Sequence, residues 1–264
     1  MRFKNFLRLC KQADISTQAA SASFFLLLSG LPLTVLLLSL LSFLPVSPED
    51  LLAWAKPFVP SVLYGAFRSM LEALPTDSVP LLSFGTLTLI WASSKGVYGV
   101  LQGLNRICSV RETRSAVKRR LICLLFTLLM LLSLAATLLV HVLSHSLLER
   151  ILDPGSLFHN ILLALANNAH LTCIILLSVY FTAVYLVLPN RKTTVRQVLP
   201  GAVCTAAAWD LFSYAFSFYA SYIGSYSRLY GSIGTLLLTM LWVYLCLSLL
   251  FYGALFNESK DLPA

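Results

Sequence analysis

A hydrocarbon core about 30 Å thick is crossed by about 20 helical residues, and six stretches of this chain meet that length with apolar side chains. They are 24–44, 80–101, 121–143, 171–188, 199–220 and 232–256. The third and sixth are the most uniformly apolar; the second turns polar towards its end, and the fifth is rich in small residues. The rest of the composition agrees. Of the 264 residues, 58% are apolar and 11% charged, whereas a soluble domain carries about 25% charged residues. That excludes an ordinary soluble surface, and the hydrophobicity excludes disorder. Cys10, Cys108, Cys123, Cys173, Cys204 and Cys246 contain no Cys-x-x-Cys pair and are too sparse for a disulfide scaffold. They read as free packing residues. No cleavable signal peptide is expected, because the first run is longer than a signal core and contains Pro32.

Charge orients the runs. Arg2, Lys4, Arg8 and Lys11 precede the first run. Arg106, Arg111, Arg114, Lys118, Arg119 and Arg120 lie between the second and third. Arg191, Lys192 and Arg196 follow the fourth, and Lys260 follows the sixth. These fourteen residues face four in the alternate segments: Lys56, Arg68, Arg150 and Arg228. Lys and Arg collect on the cytoplasmic side, so the alternation predicts six spans with both termini in the cytoplasm of a bacterial cell membrane. The net charge of +8 reflects this asymmetry and is no nucleic-acid footprint. The expected fold class is all-α, a polytopic membrane protein of six transmembrane helices forming one domain over 1–264. Of the outer segments 45–78 and 144–170, residues 49–72 read as an amphipathic helical pair broken near Pro57 and Pro60. A structured loop with ordinary helices is the alternative.

Ionisable residues inside a bilayer cost about 2.5–3.5 kcal/mol each on insertion scales, so those within the runs carry information. Asp210 stands near the middle of the fifth run, one turn from Ala206, Ala207, Ser213 and Tyr214. Its surroundings suit a helix contact or a wet cavity. Lys95 shares a helical face with Thr88 and Gln102, beside Ser94, Tyr98 and Asn105. Three readings stay open for Lys95: snorkelling to the interface, an ion pair with Asp210, or an anion site. Gly99-x-x-x-Gly103 predicts a close helix approach. His141, His145 and Glu149 share a face but supply only two good metal ligands, so no metal site is expected.

In order and spacing, the segments AASASFFLLLSGLPL (19–33), WASSKGVYGVLQGLNRI (91–107), YLVLPNRKTTVRQVLPGA (185–202), YASYIGSYSRLYGSIGTLLLTMLWVYL (219–245) and GALFN (253–257) resemble the YihY/virulence factor BrkB family of bacterial inner-membrane proteins, once labelled ribonuclease BN. The resemblance covers nearly the whole chain. It implies six helices and cytoplasmic termini and no firm activity; movement of lipids or other amphiphiles is an expectation for the family as a whole. One departure stands out: the family often has an acid after Gly-Ala in the last segment, where this chain has Leu255. Carried over by motif, the candidate positions are Ser94, Lys95, Gly96, Gln102, Asn105 and Arg106, Pro189 and Asn190 at a helix stop, and Tyr230, Gly231 and Gly234 at a turn opening the sixth run.

The substrate or ion pathway is therefore assigned to Ser94, Lys95, Gln102, Asn105, Arg106, Asp210, Tyr214 and Tyr230. The expected function is a transporter or a lipid- or amphiphile-handling protein; the alternative is a non-transporting scaffold or envelope-assembly helper. The expected partners are membrane lipids and an amphiphilic or anionic substrate, with a homo-oligomer left open and no nucleic acid. No enzyme activity, catalytic residue or cofactor is expected. A ribonuclease would need a base and metal carboxylates, and the basic side offers only the scattered Asp14, Glu112, Glu258 and Asp261.

Overall fold

In the computed structural model the described residues are 13–41, 68, 84–143, 168–222 and 224–261. Among them stand six helices and no strand: α1 Ile15–Leu41, α2 Phe84–Ile107, α3 Ala116–Leu143, α4 Ala169–Val187, α5 Val195–Tyr222 and α6 Gly224–Asp261. Their order follows the six apolar runs. The amphipathic pair expected at 49–72, together with His145 and Glu149, lies outside the described residues except for Arg68.

Local chemistry sets the ends. α2 stops in a Schellman turn: Val110 N–H reaches back to the Asn105 carbonyl at 2.8 Å and Ser109 N–H to that of Arg106 at 3.1 Å. Ser109 takes the left-handed conformation (φ 52°) that this motif demands and that glycine usually fills. Ser115 caps α3, its hydroxyl accepting the Lys118 N–H at 3.3 Å. Gln197 closes a capping box on Thr194 at the start of α5, accepting the Thr194 N–H at 2.9 Å. α4 ends before Pro189, as its sequence predicts. Tyr230 and Gly231 are a correction: they form no turn but continue α6, which begins at Gly224 and runs 38 residues, about 57 Å at about 1.5 Å per residue. α1 and α5 run through Pro32 and Pro200 without stopping.

The main helix contacts close a ring in the order α2, α1, α6, α5, α4, α3 and back to α2, with α6 also touching α2 and α1 touching α3. Glycines permit the approaches. A Cβ on Gly99 would sit 3.2 Å from the Ala22 Cα of α1, and one on Gly103 would strike the Phe251 ring of α6. The Gly-x-x-x-Gly pair therefore serves two partner helices, as its small-residue spacing predicts for close packing. The core contains Phe181, Tyr185, Leu101, Leu104, Leu188, Phe251 and Leu255. Tyr185 hydrogen-bonds the Thr205 hydroxyl at 2.9 Å and donates to the Leu250 carbonyl at 2.7 Å, joining α4, α5 and α6. The outside is apolar as well: on α3, Leu121, Leu125, Leu128 and Leu132 are all exposed and recur at the helical period. Among the described residues two helices are apolar enough by length and composition to cross a bilayer, α4 over His170–Val187 and α6 over Leu236–Ser259.

Candidate functional site

The polar stripe of α2 divides into an inner and an outer set. Ser94 is fully buried, its hydroxyl bonded to the Trp91 carbonyl at 2.8 Å, and Asn105 is buried too. Lys95, Gln102 and Arg106 are exposed. Trp91, Lys95, Tyr98 and Gln102 follow at spacings of four, three and four, one flank of a helix. Two arginines of α3 lie over the rings of this flank. The Arg120 guanidinium is 4.1 Å from the Trp91 ring centroid and also donates to the Trp91 carbonyl; that of Arg119 is 5.9 Å from the Tyr98 centroid. Lys95 sits between the two rings in register. The result is a cationic and aromatic seam on the side of the bundle.

A second polar cluster lies at the end of the bundle where α2 and α4 stop and α3 and α5 begin. Glu112 accepts both Nε and Nη2 of Arg114 at 2.9 Å, the Arg114 backbone N–H at 3.0 Å and Asn105 Nδ2 at 2.8 Å. Arg114 also donates to the carbonyls of Val187 at 3.1 Å and Leu188 at 2.6 Å. Asn105 Oδ1 accepts the Asn190 N–H at 2.8 Å, and Asn190 Nδ2 donates to Thr113 Oγ1 at 2.8 Å and the Arg111 carbonyl at 3.1 Å. Partial burial pushes the Glu112 carboxyl up, but the hydrogen bonds and charge of Arg114, with Asn105, outweigh it and hold it below the usual carboxylate range. Arg191 pairs with Glu258 of α6 beside this cluster. These are bonds between chain segments, and they engage every carboxylate oxygen of Glu112. Asn105 is thus a tie between α2, the following loop and the α4–α5 connection, rather than part of an open pathway.

Asp210 removes one of the three readings open for Lys95. Its carboxylate meets His170 Nδ1 at 3.0 and 3.2 Å, and no ion pair joins it to Lys95. The reason is topological: α2 and α5 stand three places apart around the ring in either direction, and Lys95 points outward. His170 is the second residue of α4, so Asp210 lies level with the first turn of α4 and not midway along it. Tyr214 is exposed on the outside of α5, and the side chain of Tyr230 lies outside the described residues. The structure brings Lys95 together with Trp91 and Tyr98 but leaves Asp210 and Tyr214 on another face. Sequence reasoning missed Arg119 and Arg120 as partners of α2. A signal was present: two adjacent bases open α3 with no acid nearby.

The five cysteines among the described residues are free. Among the described residues no three His, Cys, Asp or Glu side chains gather as metal ligands.

The model of the virulence factor BrkB family matches residues 6–261. The chain belongs to this family. It is 32% identical over 255 residues to the ribonuclease-like protein YfkH of Bacillus subtilis (strain 168), covering 94% of this chain and 92% of that protein. A UPF0761 membrane protein of Aliivibrio salmonicida is 28% identical over 91% of this chain and 76% of its own length. Another, from Vibrio campbellii, is 26% identical over 96% and 79%. No solved structure matches. This BrkB-family chain is a bacterial membrane protein of all-α architecture.

Proposed function

We propose that this BrkB-family protein crosses the cell membrane six times with both termini in the cytoplasm, and that it handles lipids or other amphiphiles along the α2–α3 flank. The observation that carries the reading is a row of Trp91, Lys95, Tyr98 and Gln102 backed by Arg119 and Arg120 on a bundle that exposes many leucine, valine and phenylalanine side chains. A lateral cationic seam in an apolar wall suits a ligand with an anionic head and an apolar tail. The basic loops at one end of the bundle support the orientation. The same reading includes no enzyme activity, and it is supported by Glu112, the one acid within the basic 106–120 stretch, which already accepts four hydrogen bonds and is not free to act as a general base.

Two measurements test this. In a cysteine-free background an impermeant maleimide should label Asn168→Cys in intact cells, and Arg111→Cys only after permeabilisation. In proteoliposomes with a headgroup-labelled phospholipid, the protein should accelerate exchange between leaflets, and Lys95→Ala should slow it at least tenfold at equal protein. No exchange with the intact protein would reject lipid movement and favour a scaffold; equal exchange by Lys95→Ala would reject this flank.

A further inference from the structure

We propose that Arg119 and Arg120 of α3, with Lys95 of α2, form a binding site for a phosphate-type oxyanion, the headgroup of an anionic phospholipid. The proposal rests on the lipid-handling reading only for the flank's facing lipid; binding is separable from movement.

Three cations share one seam. Among the described residues neither arginine makes an ion pair, and the only acid in their stretch, Glu112, is taken by Arg114. Both guanidinium groups are fixed before any ligand arrives. Arg120 is held over the Trp91 ring and by the Trp91 carbonyl, and Arg119 lies over Tyr98. Each retains donors without acceptors, and the Nε of both arginines is buried with no hydrogen-bond partner. A guanidinium has five N–H donors in a planar fork that suits the oxygens of a phosphate, and Lys95 stands between the two rings on the α2 flank. Like charges gathered in a low-dielectric wall repel one another, and an anion removes that repulsion. The choice of lipid over free phosphate comes from what surrounds the charges. Arg119 and Arg120 directly precede the apolar run 121–143, where a headgroup meets hydrocarbon, and Trp91 beside them is 55% exposed. The exposed Leu121, Leu125 and Leu128 continue along α3 as apolar surface for an acyl chain.

The test uses full-length protein purified in a non-ionic detergent, with the thermal unfolding midpoint followed against added phosphatidylglycerol, phosphatidylcholine of the same chains, or inorganic phosphate. Phosphatidylglycerol should raise the midpoint saturably and phosphatidylcholine should not. The double variant Arg119→Gln/Arg120→Gln should need at least about tenfold more phosphatidylglycerol, equivalent to about 1.4 kcal/mol. The control Arg111→Gln/Lys118→Gln removes the same charge from exposed positions nearby and should stay within twofold. If the double variant fails to fold, Lys95→Gln provides the same comparison. Saturation by inorganic phosphate alone would support the oxyanion site and assign it to the free ion. Equal responses to the two lipids, or equal losses in variant and control, would overturn the proposal. Phosphatidylglycerol binding without leaflet exchange would uphold the site while rejecting lipid movement.

Discussion

Glu112→Gln tests the bonds that close the basic end of the bundle. The carboxylate accepts two guanidinium donors of Arg114, the Arg114 backbone N–H and the Asn105 amide, all between 2.8 and 3.0 Å. The side chains of Arg114 and Glu112 are 10% and 15% exposed. An amide keeps the shape but loses the charge and one acceptor oxygen. Exposed ion pairs contribute about 0–1 kcal/mol, and orphaning one partner of a buried pair costs about 3–5 kcal/mol. With this partial exposure the loss should be about 2 kcal/mol. At about 2–4 °C per kcal/mol for a soluble chain of comparable size, the unfolding midpoint should fall by about 4–8 °C. Circular dichroism or intrinsic fluorescence of the purified protein in detergent, heated at pH 7, reads the shift. Glu112→Gln combined with Arg114→Gln should cost less than the two single changes together, because the double variant leaves no unpaired charge. The sign with pH is fixed as well. The folded carboxyl is held below its unfolded value, so its contribution is complete above the unfolded value and is lost as pH falls through the folded one. The gap between wild type and Glu112→Gln should therefore narrow in acid. An unchanged midpoint, or a gap that widens on acidification, would refute the account.

Two further changes read backbone and packing. Ser109→Gly relieves a left-handed residue at the end of α2 and should stabilise the protein by about 1 kcal/mol, seen as a higher midpoint in the same assay. Gly253→Ala places a methyl against Thr205 Oγ1, 2.6 Å from the Tyr185 hydroxyl and 3.2 Å from the Gly201 carbonyl. It should cost about 1–3 kcal/mol, and Thr205→Ala in the same chain should recover part of the loss.

The helices were legible because a bilayer-length apolar run needs only composition and length to be recognised. The ends were less so: α3 starts five residues before its apolar run, at the Ser115 cap, and α6 eight before, at Gly224. Polar termini that hydrogen-bond internally do not register in hydropathy. The candidate site was readable where neighbours share one helix. Lys95, Gln102 and the aromatic spacing around them follow from the period alone. Which helices meet does not. Depth along a helix made Lys95 and Asp210 look compatible, but pairing needs the order of helices around the ring, which one-dimensional spacing does not contain. The same limit hid His170 as the partner of Asp210, 40 residues away, and Asn190 as the partner of Asn105, 85 residues away.

The departure at Leu255 becomes intelligible in the last turns of α6. Leu255 is 1% exposed, among side chains from the ring's interior. A carboxylate buried there would cost several kcal/mol unless a base met it. At this end of α6 Arg191, from the α4–α5 connection, is met by Glu258, one turn further along. Positions three apart lie on neighbouring parts of one helix face, and the acid this chain carries there is Glu258, whose partner stands at the α4–α5 connection. The turn it leaves is sealed by neutral contacts: Asn257 accepts the Gly201 N–H at 2.9 Å and donates to the Val198 carbonyl at 3.1 Å, while Gly253 admits Thr205 and Tyr185. An interior closed in this way holds α5 and α6 together through neutral side chains. Asp210 is occupied by His170 in the same sense. Of the sites proposed for charge recognition, that leaves the seam of Lys95, Arg119 and Arg120, where among the described residues the cations stand without acids.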